Sequence, residues 1–425
     1  MVSELEYVIK HGGLTPKRLL KQITRRGFGV SVLKGLVGAA ASSFITTPSR
    51  AAESADFTIA IIPDPQYLAE SCPNDLGGYY TGMMNWIIDN RNTVFTSSPP
   101  SFVANIKAVV GVGDCVNWTI GANEYTNAET AWTILDAHQI AFTTPPGNHD
   151  YTSIAPSSRS NLGSQFKTGY FSARNRSSVY GSGIALGDGD MAYWVGSFDT
   201  TGANTAVKFV ISGIKMLILA MDFFAGNAAW SWAYDVMAAN TDCETYITTH
   251  AWLTSNGTQF QRTDTYGPNA YSMADAPYSN SAAEAWSTIP VNTWSNLFGI
   301  FGGHDLLGSH NTNPSGPVLP AWYWQFVPVQ SKSTRGQTVQ QLFANSQQID
   351  YVCSASVSEV TGAGEVASVF LLSRRPTTGV LEGRMISTHT GNWFGRRSSS
   401  YPSGASWSTT ERLLFRVPFT GLSNE

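Results

Sequence analysis

The chain has 425 residues, 42% hydrophobic and 13% charged, enough apolar surface to bury the core of one large α/β domain or two smaller ones. Its formal net charge is −4, and the N-terminus is rich in basic residues: without residues 1–51 it would carry 18 basic against 28 acidic residues, a net of −10. A surface of that sign repels nucleic-acid backbones and anionic membranes, so no nucleic-acid binding is expected, and no run beyond residue 50 is apolar for the ~20 residues of a membrane span.

From the N-terminus, Thr24-Arg25-Arg26-Gly27-Phe28 precedes a weakly apolar, Gly/Ala-rich run from about Val30 to Ile45, then Ser49-Arg50-Ala51-Ala52. A long basic region, paired arginines, a moderate apolar run and a small-residue cleavage site are the layout of a twin-arginine signal peptide. The expectation is a signal over residues 1–51, a partnership with the twin-arginine export machinery, and a folded protein delivered to the periplasm or secreted. The remaining chain, 52–425, reads as one domain. Its four cysteines, Cys72, Cys115, Cys243 and Cys353, show no CxxC spacing, which excludes a zinc knuckle and leaves disulfides or buried thiols open.

Six short apolar runs each end in a polar turn. They are Phe57–Ile62 before Asp64, Ala108–Val112 before Asp114, Ile140–Thr144 before Gly147-Asn148-His149-Asp150, Met216–Met221 before Asp222, Tyr246–Thr249 before His250, and Leu297–Phe301 before Gly303-His304-Asp305. Runs of this length predict strands covered on both faces. Apolar residues at three-to-four spacing predict helices over Tyr79–Asn92, Glu124–His138 and Asn227–Ala239. Alternating strands and helices give an α/β layered fold, in which ligand-binding groups gather at the carboxyl ends of strands. Two stretches rich in Ser, Gly, Asn and aromatics, near 151–210 and 256–292, read as loop-rich insertions over the site, and strand-like runs return over 337–420. The Trp322-Tyr323-Trp324 cluster and His389 read as packing residues, and His138 as a helix end.

In chain order the strand ends present Asp64-Pro65-Gln66, Gly113-Asp114, Gly147-Asn148-His149-Asp150, Thr249-His250 and Gly302-Gly303-His304. Carboxylate, amide and imidazole are the ligands of moderately hard cations such as Mn, Fe and Zn. This order resembles the signature of calcineurin-like metallophosphoesterases, D-x-H, GD, GNH[DE], H and GHxH, over roughly Phe57 to His310. The resemblance implies a four-layer β-sandwich flanked by helices, with the C-terminal strands completing it. It implies one or two divalent or trivalent metal ions, with Asp114 bridging, Asn148, His250 and His304 completing one site, and Asp64 and Gln66 serving the other. It implies a phosphate-ester substrate, mono- or diester, attacked by a metal-activated hydroxide. His149 would protonate the leaving oxygen or steady phosphoryl charge, and Asp150 would orient it or cap the turn.

The sequence departs from the pattern twice, with Gln66 in place of the first histidine and Leu306 in place of the last, as in a D-x-Q variant branch. A Gln carbonyl can bind a cation; a Leu side chain cannot. His310, nearby, is read as a surface residue that can at most swing in. These departures support a competing reading, an exported binding protein without catalysis that keeps the fold and a degraded metal site.

Overall fold

The computed structural model describes residues 56–70, 78–96, 101–117, 123–153, 159–273, 278–305, 326–346, 367–389, 391, 393, 414–419 and 421, all within the unit Ser54–Glu425. The signal-peptide expectation, Leu306, His310, the Trp322-Tyr323-Trp324 cluster, Cys72 and Cys353 lie outside the described residues. Among the described residues no helix is long and apolar enough to cross a membrane.

All six apolar runs form strands. β1 (Phe57–Ile62), β4 (Ile106–Gly111) and β5 (Phe142–Thr143) are parallel, and β14 (Ser368–Arg375), β15 (Val380–Ser387) and β16 (Phe415–Pro418) extend them antiparallel beyond β1, giving the order β16-β15-β14-β1-β4-β5. The second sheet has eight strands. Its parallel centre is β9 (Ile214–Met221), β10 (Glu244–Thr249), β11 (Leu297–Gly302) and β13 (Thr338–Ala344), with β12 (Phe326–Lys332) antiparallel at one edge. At the other edge lie β6 (Ile184–Gly187), β7 (Asp190–Ser197) and β8 (Thr205–Ile211). A small hairpin, β2 (Val94–Phe95) with β3 (Phe102–Val103), stands apart.

The alternation of side chains along β1 explains the layering. Ile59 and Ile61 point into the core shared by the two sheets, with Val110, Phe209, Ile218 and Tyr246. Ala60 and Ile62 point the other way, into a core with Met83 and Ile87 of α2 (Gly78–Asn90) and Trp132 and Leu135 of α3 (Glu124–Ala137). The far face of the second sheet packs Leu217 and Leu219 against Trp230 and Ala233 of α6 (Asn227–Ala238) and Ala282 of α7 (Ala282–Ser287). Strands buried on both faces have apolar residues at every position, which is why they read as continuous runs. The result is helices, sheet, sheet, helices: a mixed α/β sandwich of four layers.

The segment expected as a loop-rich insertion near 151–210 is more regular than its composition implies. It holds α4 (Ser164–Lys167), α5 (Ala173–Tyr180) and the strands β6 to β8. β7 exposes alternate residues, Tyr193 and Val195 among them, as a strand covered on one face does. α5 is tied to α3 by Arg176, whose guanidinium donates to both oxygens of Asp136 at 2.7 and 3.0 Å and lies 3.8 Å over the Phe142 ring. Among its described residues the 256–292 stretch forms short helical turns and α7, capped by Ser281 and Glu284. His389 packs edge-on against Tyr79, and His138 closes α3, both as structural residues.

Candidate metal centre

The carboxyl ends of both sheets meet at one place. Thr248 donates its hydroxyl to the Gly111 carbonyl at 2.6 Å, and His250 Nδ1 lies 2.9 Å from the Val112 carbonyl, so the end of β10 is fastened to the end of β4. A carbonyl only accepts, so Nδ1 of His250 carries the proton and Nε2 presents a bare lone pair. His304, just past β11, is turned the opposite way: its Nε2 faces the Tyr266 carbonyl at 3.2 Å, leaving Nδ1 bare.

These bare nitrogens face each other at 3.0 Å. His250 Nε2 is also 3.1 Å from Asp114 Oδ2 and 3.2 Å from Asn148 Oδ1. Asp114, His250 and His304 are the one group of acidic, imidazole or thiol side chains among the described residues whose donor atoms lie mutually within 4.8 Å, and all three are buried. Acceptor atoms crowded this closely repel unless a cation lies among them. Donors about 2.1 Å from a shared ion stand roughly 3.0 to 3.4 Å apart, depending on the coordination angle. The spacing and donor types therefore fit a divalent ion, and the carbonyls behind the two imidazoles fix the tautomers it requires.

Backbone geometry builds the cluster. Asp64, Asp114 and His304 have φ of 47°, 48° and 73°, the left-handed region that non-glycine residues seldom occupy. Gly113, at φ 97°, passes so close to His250 that a Cβ would stand 2.9 Å from its Nδ1. At Gly147 a Cβ would stand 2.0 Å from Asp114 Oδ1. The Gly-Asp and Gly-Asn-His-Asp turns thus touch directly, and the His149 amide donates to Asp114 Oδ1 at 2.8 Å. Burial pushes His304 well below the usual imidazole range, which keeps it neutral.

The other expected residues fall as follows. Asp64 and Gln66 are fully buried at the adjoining end of β1, Gln66 opening the short α1 (Gln66–Ala69). A Cβ on Gly303, beside His304, would lie 3.7 Å from that of Asp64. Neither amide atom of Gln66 has a hydrogen-bond partner among the described residues, although a buried amide ordinarily finds one. His149 is half-buried, its Nδ1 2.6 Å from the Asn117 carbonyl. Asn117 is braced in turn by Glu124 at 2.7 Å and Glu70 at 3.2 Å, neither of them marked by any motif. Asp150 points away from the cluster, accepting from the amides of Gly147 at 2.8 Å and Cys115 at 3.2 Å. Burial first, then the Asp114 charge, raise its carboxyl well above the ordinary value. Asp222 ends β9 and accepts the Tyr151 hydroxyl at 2.7 Å, bracing the chain after the Gly-Asn-His-Asp turn. Cys115 and Cys243 are buried free thiols.

Among solved structures the chain is similar to a dimetal phosphatase from Danio rerio, at 11% identity over 78% of this chain and 96% of that one, with a TM-score of 0.37. It is also similar to a calcineurin-like phosphoesterase from Bacillus subtilis, at 11% identity over 79% and 91% of the two chains, with a TM-score of 0.34. No family model and no curated protein matches the chain. At this degree of likeness the chemistry has to be read from the residues themselves.

Proposed function

We propose that the protein is a metal-dependent phosphoric ester hydrolase. The observation that carries this reading is the convergence of Asp114 Oδ2, Asn148 Oδ1 and His304 Nδ1 on His250 Nε2, at 3.0 to 3.2 Å with no proton among the two imidazole nitrogens to join them. Asp114, Asn148, His250 and His304 would hold one ion, and the buried Asp64 and Gln66 beside them would serve a second with Asp114, as in a D-x-Q branch of the superfamily. Mn, Fe and Zn suit these ligands. Such ions, when bound, supply Lewis acidity and make nearby water nucleophilic near neutral pH.

The chain's own groups supply the rest. His149 is aimed by the Asn117 carbonyl and anchored by its amide to Asp114, so its ring sits beside the cluster without joining it; there it would protonate the departing oxygen or steady phosphoryl charge. Asp150 serves by clamping the two turns together. The twin-arginine pattern at Thr24–Phe28 supports export of the folded protein to the periplasm or beyond.

The test is hydrolysis of an aryl phosphate with added Mn²⁺ or Zn²⁺. Asp114→Asn and His250→Ala are each expected to abolish metal-dependent turnover. Unchanged turnover in both variants rejects the reading. A wild-type protein that binds metal but cleaves no ester supports the alternative of an exported binding protein.

A further inference from the structure

His304 is the one member of the cluster enclosed by the irregular stretch that follows β10. Rings of Phe223, Phe260, Tyr266 and Tyr271 lie with centroids 5.0 to 6.0 Å from its imidazole. Among the described residues, two oxygens from that stretch reach its outer nitrogen. The Tyr266 carbonyl is 3.2 Å from Nε2 and the Tyr271 hydroxyl is 3.1 Å from it. Both contacts are at the long end of the hydrogen-bond range, as when one N–H is shared between two acceptors.

Tyr271 is held firmly enough to act as a support. It ends the short turn Pro268–Tyr271, whose Asn269 amide donates to the Arg262 carbonyl at 3.1 Å. The Arg262 guanidinium donates to both oxygens of Glu284 at 2.8 and 2.7 Å and to the Ser279 carbonyl at 2.8 Å. The ring meets Phe223 edge-on at 5.1 Å. A ring fixed in this way holds its hydroxyl at one place, and a hydroxyl can accept the imidazole proton just as the carbonyl does.

We propose that Tyr271 is a positioning residue of the metal centre, an inference that rests on the metal-centre reading above. By sharing the Nε2 proton of His304 with the Tyr266 carbonyl, which sets the tautomer, its hydroxyl fixes the rotation of the ring, so that Nδ1 faces His250, Asp114 and Asn148 with its lone pair available. The stretch over residues 256–292 is then part of the site's support, reaching the metal through one hydroxyl and one carbonyl.

The test compares Tyr271→Phe with Tyr266→Phe in the full chain, measuring Zn²⁺ and Mn²⁺ affinity against a chromogenic chelator and the His304 tautomer by ¹⁵N NMR of the metal-free protein. Outer partners of metal-bound histidines typically account for about 10- to 100-fold in affinity. Tyr271→Phe is expected to weaken metal binding by that range while His304 stays the Nε2–H tautomer, still held by the Tyr266 carbonyl. Tyr266→Phe leaves the carbonyl in place and is expected to bind within about twofold of wild type, below that range. Wild-type affinity in Tyr271→Phe would overturn the proposal. Equal weakening by both variants would also overturn it, since packing alone would then be the cause. If the wild type binds neither metal, the metal-centre reading falls with it; if it binds and Tyr271→Phe matches it, only the role of Tyr271 falls.

Discussion

At the scale of single residues, the cluster depends on backbone that side chains normally avoid. Asp114 turns back at φ 48° because Gly113 lets it, and Gly147 leaves room for its carboxylate. Strain of this kind costs on the order of 1–3 kcal/mol per residue and persists where the surroundings over-determine it. Gly147→Ala would place a carbon 2.0 Å from Asp114 Oδ1 and 2.5 Å from its amide nitrogen, so the two turns must part. We expect at least about a tenfold loss of metal affinity, the scale seen when a ligand's support is removed. Gly82→Ala is the control: in the exposed middle of α2, where nothing lies within 4 Å, it should raise stability by about 0.5–1 kcal/mol and leave metal binding alone. Titration with a chelator, alongside urea unfolding, checks both. Asp114, Asn148, His250 and His304 were legible in the sequence because each follows a strand by a fixed short turn. The brace formed by Asn117, Glu70 and Glu124 was not, because it joins residues from three elements through one backbone carbonyl and one amide.

The elements show where sequence pattern runs out. The doubly buried strands were plain, since every position in them is apolar. β6 and β7 were hidden because a strand covered on one face alternates, and because Gly187-Asp188-Gly189, all at positive φ, reads as loop while it makes a tight hairpin. The first sheet contains another feature invisible to periodicity. Buried Glu382 on β15 accepts from Arg384 at 2.9 Å, from Arg375 at 3.3 Å, and from Arg416. Burial alone would raise the Glu382 carboxyl, but Arg384 first and then Arg416 outweigh it and hold it below its ordinary value of 4.5. A depressed carboxyl stabilises the fold fully above its unfolded value, and that contribution is lost as the pH falls through the folded value. Glu382→Gln leaves buried guanidinium groups uncompensated and should cost about 3–5 kcal/mol at pH 7. The gap between variant and wild type should narrow steadily below pH 4.5, the ordinary value for this group, in urea unfolding series at fixed metal concentration. A gap that does not change with pH would show that the charge of Glu382 is not what holds this corner.

For the whole molecule, the arrangement places the chemistry where two sheets end together. Asp64, Asp114 and the Gly-Asn-His-Asp turn belong to the first sheet, and His250 and His304 to the second. The hydrogen bonds from Thr248 to Gly111 and from His250 to Val112 are the seam that brings them within reach of one another. The layered α/β class followed from the order of runs and helices, since parallel strands with helical crossovers bury both sheet faces. How the tail divides was not readable: β13 joins the second sheet while β14 to β16 join the first, a choice set by long-range pairing and by no local pattern. The central claim is that the four donors share a cation. Anomalous diffraction from crystals of the full chain grown with Mn²⁺ or Zn²⁺ tests it directly. The account predicts a peak about 2.0–2.2 Å from Asp114 Oδ2, Asn148 Oδ1, His250 Nε2 and His304 Nδ1. Metal bound elsewhere, with those four atoms left without an ion at saturating concentration, would contradict it.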